Sequence, residues 1–73
     1  MAKEIMEVPI SGKITGCEVN LGDSVKEGDT ICTIEAMKMD NAIMAPQSGK
    51  IIELKVKLGM IVEAGDIIAV IEY

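Results

Sequence analysis

Sliding the 73-residue chain against itself by 37 positions lays residues 8–36 on residues 45–73 without a gap, and 14 of the 29 pairs are identical. The identities include Pro9/Pro46, Ser11/Ser48, Gly12/Gly49, Ile14/Ile51, Val19/Val56, Gly22/Gly59, Val25/Val62, Gly28/Gly65, Asp29/Asp66, Ile34/Ile71 and Glu35/Glu72. Matches at glycine, proline and spaced apolar positions require both halves to build the same strands and the same turns. Two copies are too few for a solenoid. They suit one compact domain over residues 1–73 with a pseudo-twofold axis, each half covering the apolar face of the other.

Within a half, alternation predicts a strand over 13–19, a short piece around Val25 and a strand over 30–35, separated by turns at Gly22-Asp23 and Gly28-Asp29. The second half repeats this with strands over 50–56, 61–62 and 67–72. Residues 4–8 and 39–44 supply two more. A period of two points Ile14, Ile51, Val19, Val56, Ile34 and Ile71 inward. The apolar fraction is 49%, rich in β-branched residues and with one aromatic, Tyr73, which favours strands over helices. The expectation is an all-β fold of about eight short strands, a small sandwich or flattened barrel.

Several function classes are excluded by what is missing. A net charge of -5 repels a nucleic-acid backbone, and there is no aromatic platform on which bases could stack. No apolar run reaches bilayer length and no secretory leader is evident, so direct membrane insertion is not expected and the reading is cytoplasmic. Without histidine, neither an ordinary zinc site nor a Ser-His-Asp or Cys-His arrangement can be assembled, so no metal ligand and no catalytic residue is assigned. Cys17 and Cys32 align with Leu54 and Ala69, which favours reduced thiols packed as small apolar groups, with a bridge between the two open but unsupported. The segments GDSVKEGD and GMIVEAGD resemble phosphate loops only superficially. Neither ends in Gly-Lys-Ser/Thr or leads into a helix, and their repetition assigns them to turns.

The remaining candidate is Lys38, inside the stretch Glu35-Ala36-Met37-Lys38-Met39. Residues 37–40 lie where the first repeat has ended and the second has not begun, which predicts a tight turn at one end of the domain. This turn lacks Gly and Pro, although Asp40 and Asn41 just beyond tolerate turn geometry. Met37 and Met39 exposed beside a lysine would gain no core burial, but a polarizable, adaptable pair suits a tip that several partners must grip. The competing reading places both methionines inward on one strand face.

The Ser-Gly-Lys-Ile opening, the Gly-Asp-x-Val-x-x-Gly-Asp segment, Glu-Ala-Met-Lys-Met, the Ala-Pro-x-x-Gly element and the repeated Gly-Asp close together resemble the biotinyl domain, the carrier module of biotin-dependent carboxylases and decarboxylases. The resemblance covers nearly the whole chain. It implies a flattened eight-stranded barrel of two antiparallel sheets, with biotin attached covalently to Lys38 on an exposed hairpin and Glu35, Ala36, Met37 and Met39 as the flanking motif. It also implies a carrier that is not itself an enzyme, serving a biotin protein ligase, a biotin carboxylase, and a carboxyltransferase or decarboxylase. Asn41-Ala42-Ile43 departs from the Asn-Glu-Ile or Thr-Glu-Ile of many members, removing one acidic group near the tip. The gapless repeat leaves no room for the protruding thumb of some bacterial members. Two alternatives share the scaffold: a lipoyl carrier of 2-oxoacid dehydrogenase complexes, whose lysine is usually flanked by Asp and a small residue, and an unmodified structural adaptor.

Overall fold

The computed structural model describes residues 2–73. Its strands are β1 (Lys3–Glu7), β2 (Gly12–Cys17), β3 (Ser24–Val25), β4 (Thr30–Ala36), β5 (Met39–Met44), β6 (Gly49–Leu54), β7 (Ile61–Val62) and β8 (Ile67–Glu72). They form two four-stranded antiparallel sheets with orders β1-β8-β6-β3 and β5-β4-β2-β7. Advancing every strand of the first sheet by half a chain produces the second, so the pseudo-twofold exchanges the sheets, and each sheet takes strands from both repeats. The register obeys the same operation: Lys13 opposes Glu35 and Ile14 opposes Ile34, as Lys50 opposes Glu72 and Ile51 opposes Ile71. A bulge follows Ile14 and Ile51 at equivalent places.

The core lies between the sheets. Ile14, Ile31, Ile34, Ile51, Ile68 and Ile71 are fully buried, and Val19, Val25, Val56 and Val62 close the layer. All six residues expected to point inward do so. Val19 and Val56, however, lie beyond the ends of β2 and β6, because the strands stop at Cys17 and Leu54. There the chain folds inward: the Glu18 N–H donates to Ile31 O and the Lys55 N–H to Ile68 O, at 2.9 and 2.8 Å.

The Gly-Asp segments are turns. Gly22, Gly28, Gly59 and Gly65 have φ of 91°, 90°, 88° and 96°, a region that side-chain-bearing residues avoid. Asp23, Asp29 and Asp66 each accept through Oδ2 from the N–H three residues earlier, at 2.8 to 2.9 Å. Serine pins join the halves: Ser48 Oγ accepts from the Glu27 N–H and Ser11 Oγ from the Ala64 N–H, both at 3.1 Å. Among the described residues no helix is long and apolar enough to cross a membrane.

Gly12 and Gly49 are identical in the repeats for a steric reason. A Cβ at Gly49 would lie 2.5 Å from both Glu72 O and Ile71 Cγ2, and one at Gly12 would collide with Glu35 O and Ile34 Cγ2. Gly49→Ala should therefore lower the unfolding free energy by about 1–3 kcal/mol, read from urea denaturation, because β6 must move away from β8. Ile34→Ala and Ile71→Ala should each cost about 2–5 kcal/mol in the same measurement. A loss below about 1 kcal/mol would contradict their place in the core.

Candidate functional site

β4 and β5 form a hairpin whose last pair is Ala36 with Met39, leaving a two-residue loop of Met37 and Lys38. Both loop residues have positive φ, 53° and 64°. Left-handed backbone at both central positions is the signature of the type I′ turn, whose twist matches that of the flanking strands. Asn-Gly is the usual occupant. Placing methionine and lysine there costs roughly 1–2 kcal/mol per residue, offset by the ladder that the turn closes. Asp40 and Asn41 are not turn residues: they pair with Glu35 and Ile34 inside the strands.

Asn41 braces the hairpin from one side. Its Nδ2 donates to Ile34 O across the ladder and to Met39 O at the foot of the turn, both at 3.4 Å. Ala36 is buried beneath the tip. Glu35 lies on the exposed face between Lys13 of β2 and Asp40 of β5. Thus the motif divides by role: Ala36 packs, Glu35 belongs to the solvated sheet face, and only Met37, Lys38 and Met39 form the tip. Asn41 is a contributor that the sequence offered merely as turn-tolerant.

At the tip Met37 is 86% and Met39 67% exposed, which removes the reading that places them inward. Lys38 is exposed, and its amine makes no hydrogen bond or ion pair with any described residue. The one ion pair among the described residues, Lys55 with Glu53, lies on β6 and the loop after it. No cluster of described residues could hold a metal ion. An open depression lined by Glu18, Asp23, Ser24, Asp29 and Thr30 contains none of the tip residues Met37, Lys38 and Met39. The geometry therefore provides a primary amine at the end of a two-stranded support, without a hydrogen-bonding or ionic partner among the described residues. Such an amine can be acylated by an enzyme that brings its own site.

The family model described as "Biotin-requiring enzyme" matches residues 4–71. Over 43 residues the chain is 46% identical to the methylmalonyl-CoA decarboxylase subunit gamma of Veillonella parvula, covering 59% of this chain and 33% of that subunit. Over 38 residues it is 53% identical to the mitochondrial methylcrotonoyl-CoA carboxylase subunit alpha of Dictyostelium discoideum, covering 52% of this chain and 5% of the relative. Among solved structures, the urea carboxylase of Kluyveromyces lactis superposes with a TM-score of 0.88 at 36% identity, over 99% of this chain and 6% of that one. The chain thus spans a third or less of the proteins it resembles.

The strain in the turn is measurable. Met37→Asn, which tolerates positive φ, should raise the unfolding free energy by about 0.5–1 kcal/mol in urea denaturation. Destabilisation instead would mean that the Met37 side chain contributes packing that its exposure denies.

Proposed function

The chain belongs to the biotin-requiring enzyme family and is a biotinyl carrier domain, and on that premise we propose that Lys38 is the residue on which biotin is carried. The observation that carries the assignment is the Lys38 amine itself, without a partner among the described residues, at the apex of a two-residue turn between exposed methionines. It fits the group because an amide to biotin needs an accessible primary amine and no binding pocket on the carrier. Lys38 Nζ attacks the activated carboxyl carbon presented by a biotin protein ligase, an amide bond forms, the activating group leaves and the amine proton passes to solvent. The Lys38 side chain gives up one proton to become the neutral nucleophile and a second as the amide forms, so its charge is lost, and no described carboxylate loses an ion-pair partner. Once attached, biotin supplies a ureido nitrogen that can hold a carboxylate during transfer.

The remaining steps for this chain are presentation and recognition. The hairpin projects Lys38 away from the core, while Met37 and Met39 offer a polarizable grip to each successive partner. Confinement near a partner's site raises the effective concentration of the carried group. In this reading residues 1–73 form one carrier domain that is not itself catalytic. The partners are the ligase, a biotin carboxylase, and a carboxyltransferase or decarboxylase that contribute all the bond-making residues. Relatives named as a decarboxylase subunit and a carboxylase subunit support both kinds of destination. The methionines on both sides of Lys38 weigh against the lipoyl alternative, whose lysine usually follows Asp.

Co-expression with a biotin protein ligase should add one biotinyl group per chain by intact mass, and Lys38→Arg should abolish the adduct while changing stability by less than about 0.5 kcal/mol. A lipoyl adduct instead, or biotin retained on the Lys38→Arg chain, would overturn the assignment.

A further inference from the structure

The chain has two cysteines, Cys17 and Cys32, and the fold makes them direct cross-strand partners on β2 and β4. The Glu18 N–H donates to Ile31 O at 2.9 Å, so the ladder bond lies beyond the pair, and Cys17 and Cys32 occupy a non-hydrogen-bonded position. At such positions Cα atoms are about 4.5 Å apart and the side chains project together from one face. That separation lies within the roughly 4.4–6.8 Å range that a disulfide spans. Both sulfurs are free. Cys32 is fully buried in the core, whereas Cys17 is partly exposed, with its Sγ 3.5 Å from Val19 O. At the twofold-related place Leu54 opposes Ala69, so packing at this layer does not require two thiols.

We propose that Cys17 and Cys32 form a reversible dithiol/disulfide pair that is closed by a small aliphatic disulfide and then ties β2 to β4, the strand leading into the Lys38 hairpin. The partly exposed Cys17 sulfur, as thiolate, attacks one sulfur of the oxidant, whose S–S bond breaks and releases one thiolate that takes up a proton. Cys32 then loses its proton to solvent and attacks Cys17 Sγ, expelling the second thiol. Two protein thiols are oxidised by two electrons, and one disulfide is reduced to two thiols. Burial, with Cys17 beside it, pushes the Cys32 thiol up to about 11, which makes it the resolving rather than the attacking group and slows closure. In a reducing compartment the pair rests as thiols. Under oxidising stress the bridge closes without an incoming partner chain.

The test uses the unmodified full chain, folded, incubated with oxidised glutathione. Trypsin cuts after Lys13 and Lys26, which puts Cys17 and Cys32 on different peptides. The expected result is a monomer lighter by two hydrogen atoms, with those peptides joined until dithiothreitol is added, and a urea midpoint that rises on oxidation and returns on reduction. Cys17→Leu and Cys32→Ala, which copy the twofold-related Leu54 and Ala69, should each remove the joined peptides and the reversible shift. A folded wild-type chain that ends as a stable glutathione adduct, as a linked dimer or with both thiols free would overturn the proposal, as would a reversible shift surviving in Cys32→Ala.

Discussion

The stacking of two isoleucine ladders across the pseudo-twofold holds everything else in place. Ile14 opposes Ile34 in one sheet and Ile51 opposes Ile71 in the other, and all four are fully buried where the inner faces meet. With no Phe or Trp, the core relies on stiff β-branched side chains that lose little rotamer freedom on a pleated surface. The close approach at Gly12 and Gly49 allows β2 and β6 to lie against the strands that carry Ile34 and Ile71. Neither repeat completes a sheet alone, so each half supplies strands that both sheets require.

That arrangement explains why the hairpin can hold an unfavourable turn. β4 is central in its sheet, paired on one side with β2 and on the other with β5, so its path is fixed from Thr30 to Ala36. Met37 and Lys38 must then reverse the chain within two residues, in left-handed backbone that neither prefers. At the other end of the twofold, the equivalent place is occupied by Ala2 and Tyr73, which exchange hydrogen bonds at 2.8 and 2.9 Å. One fold position is thus a closed turn at one end and a hydrogen-bonded strand pair, Ala2 with Tyr73, at the other. The paired strands hold the turn at the end of the sheet, where the Lys38 side chain is exposed.

Much of this was legible in the sequence because the repeat doubled every signal. Strands, glycine turns and inward isoleucines were marked twice, and the break between copies pointed at Lys38. The sheet order was not legible: periodicity assigns faces, whereas the exchange of strands between repeats depends on the two halves clasping each other. The turn type was hidden as well, since Met-Lys carries none of the usual preference for positive φ and only the two-residue register imposes it. Asn41 looked like a turn residue because its side chain favours turns, and it uses the same amide to brace a strand from within. In sequence the two cysteines read as packing residues, with a bridge between them open but unsupported. Fourteen positions lie between them in sequence, and only the β2–β4 register makes them neighbours.

The central claim is that one amine stands apart on a rigid tip and can be modified without disturbing the body beneath it. Backbone amide spectra of an isotopically labelled chain, recorded before and after treatment with a biotin protein ligase, test this directly. Shifts are expected only in the hairpin around Met37, Lys38 and Met39, with the isoleucine core unchanged. Shifts centred on another lysine, or spread through the core strands, would contradict it.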